Sequence, residues 1–139
     1  MGCIDKKYRF GWKYCFELDN ISIPEGVTRI EGSAFASCSS LKSITFPSTL
    51  EFIGGWTFYW CPLVNVVLPN KIKTIEDEAF GTCYELESIV LPKSITYIGE
   101  RVIPSTMYGE YNVLVYVEKD SYAETYLKSI GCDYEYINN

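Results

Sequence analysis

Four prolines, Pro24, Pro47, Pro69 and Pro92, recur at intervals of 23, 22 and 23 residues, and a period in this window commits a chain to stacked, equivalent coils. The phase holds inside each interval. Three residues after each proline stand Val27, Leu50, Ile72 and Ile95, and three further on stand Ile30, Ile53, Ile75 and Ile98. Eleven residues after it come Phe35, Phe58, Phe80 and Ile103, preceded by Ala34, Thr57, Ala79 and Val102. Columns this uniform bury against their counterparts one repeat away, because a unit of this size cannot enclose an apolar face alone.

Ahead of each proline lie pairs two apart, Ile21/Ile23, Ile44/Phe46, Val66/Leu68 and Ile89/Leu91. A spacing of two puts both side chains of a pair on one face of a strand. Each strand can pair with its equivalent one repeat on, giving a parallel sheet with strands roughly 4.8 Å apart. The alternate residues then form two outward columns, Asn20, Ser43, Asn65, Ser88 and Ser22, Thr45, Val67, Val90. Proline, with no N–H to donate, ends the pairing. Gly26, Gly32, Gly54, Gly55, Gly81 and Gly99 are placed to make tight bends. One column slips: Leu18, Leu41, Leu63 and Leu86 keep phase only with one residue deleted before Leu63.

Both ends depart from the repeat. Tyr8 to Asn20 reads as a partial unit, with Trp12 in the phenylalanine column, and looks cut into, as if further residues stood upstream. After Pro92 the unit runs through IPSTMYGEYN, an irregular insertion with Pro104 and Gly109. An alternating strand resumes at Val113 to Val117. Ser121 then starts a helix, Glu124 completes a capping box, and Gly131 stops it. Ala123, Tyr126, Leu127 and Ile130 fall on its inner side, and Asp133 to Ile137 forms a closing strand. The chain thus divides into a partial unit or cap over 1–20, repeats over 21–112 and a cap over 113–139. The fold class is an α/β solenoid, right-handed and mostly strand and turn, with a parallel sheet and a strand-helix-strand cap.

Hydrophobic residues make up 47% of the 139 residues, ample for a core. A net charge of −6 and scattered Lys and Arg argue against nucleic acid as a partner, since phosphate binding needs clustered cations. There is no histidine, which removes the usual general base and the commonest metal ligand. No assembly of nucleophile, base and oxyanion donors stands out, and the acidic turn Glu76-Asp77-Glu78 reads as a solvated bend, so no enzyme and no cofactor is expected. Cys15, Cys38, Cys61 and Cys83 share one repeat phase, the pattern of a small buried apolar residue, while Cys3 and Cys132 fall outside it. Without histidines or C-x-x-C clusters no metal site is expected. No apolar run is long enough to span a bilayer, so no membrane insertion is expected. The opening MGCIDKKYRFGW has no apolar segment of signal-peptide type, and Lys6 stands where a myristoylation signal wants Ser or Thr.

The segments IPEGVTRIEGSAFASCSSLKSITFP and LPNKIKTIEDEAFGTCYELESIVLP resemble repeats of the BspA-like leucine-rich-repeat family. The resemblance covers about Gly11 to Ile103, and VYVEKDSYAETYLKSIGCDYEYI is similar to the segment that often closes such arrays. It implies a leucine-rich-repeat array that acts non-catalytically in adhesion or host and matrix protein binding, in a secreted or cell-surface parent protein. It carries over no functional residue.

Within that frame the unit after Pro47 breaks its own columns. Trp56, Tyr59 and Trp60 stand where the neighbouring units have Ser33, Ala36, Ser37 and Glu78, Gly81, Thr82. The phase that buries Phe58 predicts solvent-facing aromatics here, with Tyr84 and Tyr14 close by. Exposed aromatics suit a protein partner or stacking on a glycan. The resemblance offers a second candidate, the concave sheet face with Ser43, Thr45, Asn65, Val67, Ser88 and Val90. Three readings follow: a protein-interaction module, a carbohydrate-binding module on the aromatic cluster, and a structural spacer.

Overall fold

The computed structural model describes residues 15–104 and 112–137. Cys3, Trp12, Tyr14 and the insertion's residues 105–111 lie outside them.

Each coil places a strand before its proline and a two-residue strand after it. The first set is β1 (Asn20–Ser22), β3 (Ser43–Thr45), β5 (Asn65–Val67) and β7 (Ser88–Leu91). The second set is β2 (Arg29–Ile30), β4 (Phe52–Ile53), β6 (Thr74–Ile75) and β8 (Tyr97–Ile98). All pairings are parallel and in repeat register, with Ile21 beside Ile44, Val66 beside Ile89, and Ile30, Ile53, Ile75 and Ile98 in one line. The architecture is a β-solenoid, and the only helix among the described residues belongs to the C-terminal cap. The second sheet, β2-β4-β6-β8, is continuous and was not predicted, because a two-residue strand shows only one inward residue and so no alternation.

The first sheet is interrupted. Its strands pair as β1-β3 and as β5-β7-β9-β10, where β9 is Leu114–Val117 and β10 is Glu135–Tyr136. Where β1 meets β3 and β5 meets β7, the residue before the proline donates onward, Ile23 N–H to Thr45 O at 2.9 Å and Leu68 N–H to Val90 O at 3.3 Å. Phe46 makes no such bond to Val67, although Val64 N–H still reaches Lys42 O at 3.1 Å. The break coincides with the deletion before Leu63. The i to i+3 turns that close Cys38 to Leu41 and Cys83 to Leu86 have no counterpart in the shortened Cys61-Pro62-Leu63 corner.

The core follows the predicted ladders, with Leu18, Ile21, Val27, Ile44 and Phe46 only half-buried against it. Phe35, Phe58 and Phe80 are fully buried and stack with centroids 5.4 and 5.2 Å apart, their planes within 12° of parallel. Thr57 takes an alanine position, and its hydroxyl donates to Gly54 O at 2.6 Å, which satisfies an otherwise stranded polar group.

At the C-terminus, β9 rejoins the first sheet in full register with β7, Ser88 beside Leu114 and Val90 beside Tyr116. The helix α1 (Tyr122–Ile130) then crosses over, and β10 pairs parallel to β9. Ser121 caps the helix by accepting from Glu124 N–H at 3.1 Å, and Gly131 ends it at φ 67°. Ala123 and Leu127 are buried and Tyr126 donates its hydroxyl to Gly99 O at 3.0 Å, but Ile130, placed on the inner side by the spacing, is 52% exposed. It lies at the last turn, where it lines a cavity with Ile103, Pro104 and Val113 rather than packing closed against the last coil.

Glu124 does more than complete the box. Its carboxylate accepts from Asp120 N–H at 2.7 Å, Tyr136 hydroxyl at 2.9 Å and Tyr134 hydroxyl at 3.1 Å, and it pairs with Lys128. The Lys128 ammonium, followed by the Tyr136 hydroxyl, holds this carboxyl at about 2, well below the usual range.

Candidate functional site

The third side of each coil runs from the second strand to the cysteine, and its backbone conformation decides which side chains face solvent. Two residues per coil have positive φ: Ser33 and Ser37, Trp56 and Trp60, Glu78 and Thr82, with Arg101 in the fourth coil. This conformation alternates the direction of the N–H groups. Ser33, Phe35 and Ser37 donate to Gly55, Thr57 and Tyr59 of the next coil at 2.9, 2.9 and 2.7 Å. Ala34, Ala36 and Cys38 donate back three residues within their own coil. Trp56, Phe58 and Trp60 repeat the pattern onto Asp77, Ala79 and Gly81. The bends predicted for the glycines are thus made largely by other residues. Among the described glycines only Gly26 and Gly131 have positive φ. Gly54 and Gly99 serve close approach instead, since a Cβ on either would sit 2.4 Å from Gly32 N or 2.3 Å from the Asp77 carboxylate.

A bulky side chain at positive φ is uncommon, and the left-handed conformation costs an L-residue roughly 1–2 kcal/mol. The coil needs that backbone at Trp56 and Trp60, and the ladder of inter-coil hydrogen bonds holds it there. Their side chains point away from the core: Trp56 is 47% exposed, Trp60 is 58% exposed and Tyr84 is 48% exposed. Trp60 and Tyr84 meet edge to face, with centroids 6.3 Å apart and planes at 74°. Tyr59, grouped with them by sequence, is only half-exposed, and its ring lies against Gly81, where a Cβ would come within 3.2 Å of it. The ridge therefore consists of Trp56, Trp60 and Tyr84, with Tyr59 at its base.

On the first sheet, Ser43, Thr45, Asn65 and Val67 are exposed and Ser88 and Val90 half-exposed, with Ser88 bonded to Asn65 at 2.6 Å. Val67 lines a groove at the interruption, with Ile44, Phe46 and Leu68 also contributing and Lys71 at the rim. The columns run on into the cap through Leu114 and Tyr116, which the sequence reading left off this face. Their signal was present in the alternation from Val113 to Val117, but the intervening insertion hid the register.

Cys38, Cys61 and Cys83 are buried, and Cys15 is half-buried. The Cys61 and Cys83 thiols donate to Phe35 O and Phe58 O at 3.0 and 3.2 Å. Burial pushes Cys83 up to about 12, and a hydrogen bond with Cys38 together with burial pushes Cys61 up. Such thiols are poor nucleophiles. Among the described residues no group of three or more His, Cys, Asp or Glu side chains is arranged to hold a metal ion, and no helix is long and apolar enough to cross a membrane.

The family model for the BspA type leucine rich repeat region matches residues 6–128. Two crystal structures are similar. A leucine-rich repeat protein from Bacteroides ovatus ATCC 8483 superposes with a TM-score of 0.66 at 22% identity, over 90% of this chain and 38% of that one. A leucine rich cell surface protein from Faecalibacterium prausnitzii A2-165 gives 0.53 at 28% identity, over 79% of this chain and 34% of that one. This chain therefore spans little more than a third of either. No curated protein matches it. With the match covering most of the sequence and the coils, ladders and cap in place, the chain belongs to the BspA-type leucine-rich-repeat family.

Proposed function

We propose that this chain is a non-catalytic protein-recognition module, adhesive in a surface or secreted parent protein, and that it binds through Trp56, Trp60 and Tyr84. The observation that carries this reading is the pair of exposed indoles at positive φ. They fill no cavity and satisfy no buried group, yet they present apolar area with a polar handle on a rigid, hydrogen-bonded turn. A similar structure is that of a cell surface protein, which supports the surface setting. The edge-to-face geometry of Trp60 and Tyr84 favours protein over sugar, because perpendicular rings make a notch for a side chain rather than a flat platform for a pyranose.

The test compares wild type, W56S/W60S and V67E/V90E on a panel of purified extracellular-matrix proteins and on a glycan array. Binding to a matrix protein by wild type and V67E/V90E, lost in W56S/W60S, is the expected result. Loss only in V67E/V90E would move the site to the first sheet. Ridge-dependent binding confined to glycans would make this a carbohydrate module.

A further inference from the structure

The ridge stands on an acidic face. Its four coil segments, residues 31–40, 54–62, 76–85 and 99–104, carry six carboxylates and a single cation, Arg101. That cation is taken up by Glu78, which occupies the position equivalent to Trp56 in the next coil. Asp77 lies directly beside the ridge, its carbonyl accepting from Trp56 N–H at 3.0 Å. Glu85 follows Tyr84 in sequence, and Glu100 donates its N–H to the Asp77 carboxylate at 2.9 Å. Glu85 and Glu100 are exposed and have no ion pair among the described residues. Of the six carboxylates, Glu31 is paired with Arg29 of the second sheet, beside which Lys73 pairs with Glu51.

Building on the ridge as a protein-binding site, we infer that its occupant is a basic protein surface, with arginine or lysine side chains laid across the exposed faces of Trp56 and Trp60 and their charges set against Asp77, Glu85 and Glu100. Cations are drawn to the face of an indole more strongly than to other aromatic faces. The molecule already makes such a contact on another side, where the Arg29 guanidinium lies 3.8 Å from the Phe52 ring centroid. Charge complementarity around an aromatic anchor sets partner choice and association rate, and like charges across the same interface are repelled.

The experiment titrates the full chain with an unstructured peptide alternating arginine with leucine, and with the same peptide carrying glutamate at every arginine, following tryptophan fluorescence. The basic peptide is expected to bind at least about tenfold more tightly than the acidic one, and more weakly as salt is raised. Both W56S/W60S, followed by a label on the peptide, and E85Q/E100Q are expected to reduce that preference, with unchanged circular dichroism. Equal affinity for the two peptides overturns the inference, as does a basic preference that survives both variants. Binding lost in W56S/W60S but intact in E85Q/E100Q overturns the charge assignment alone and leaves the ridge as a protein site.

Discussion

Single residues set how closely the coils stack. Glu31, Gly54, Glu76 and Gly99 share one column, so a large residue alternates with none at all, and Gly55 N–H reaches the Glu76 carboxylate at 3.2 Å. A methyl group at Gly54 would press on Gly32 backbone, which has no room to yield. Gly54→Ala is therefore expected to cost about 1–3 kcal/mol in denaturant unfolding, in line with overpacking elsewhere. Phe58→Ala, at the centre of the stacked rings, is expected to cost about 3–5 kcal/mol in the same assay. The same packing protects the thiols: Cys38, Cys61 and Cys83 are expected to resist alkylation in the native protein and to label on denaturation. Ready native labelling of all three would contradict a buried ladder.

At the scale of elements, what the sequence made legible depended on how many residues reported each feature. Ladder positions are reported by several units at once, so the first strands, the phenylalanine stack and the cysteine column could be read directly. The second strands carry one inward residue each, Ile30, Ile53, Ile75 and Ile98, and left no alternation to see. Positive φ was invisible for a similar reason: serine, tryptophan, glutamate, threonine and arginine all occupy those places, because the ladder of backbone hydrogen bonds imposes the conformation whatever the side chain. The ridge was legible as a departure from column, but Tyr59 was not separable from Trp56 and Trp60 without knowing which of the three lies over Gly81. In the cap, the helix start was plain from Ser121 and Glu124, while the gathering of Tyr134 and Tyr136 on Glu124 required β10 to fold back. That hub has a pH consequence. Its carboxyl is depressed from 4.5 to about 2 in the fold, so its stabilising contribution is complete above 4.5 and is lost as pH falls through about 2. Acid titration monitored by helical circular dichroism is expected to show cap loosening in that window, and Glu124→Gln to remove this pH dependence.

For the whole molecule, the repeats and cap account for stability through contacts between neighbouring coils, to which the ridge adds the edge-to-face contact of Trp60 with Tyr84 of the next coil. The functional reading depends on this separation of surface from core. Its most direct test is the unfolding free energy of W56S/W60S against wild type. The two are predicted to agree within about 1.5 kcal/mol, the scale of the single edge-to-face ring contact that is lost. A loss of about 3–5 kcal/mol, the scale of a buried aromatic truncated to a small residue, would place the indoles in the core and contradict the account.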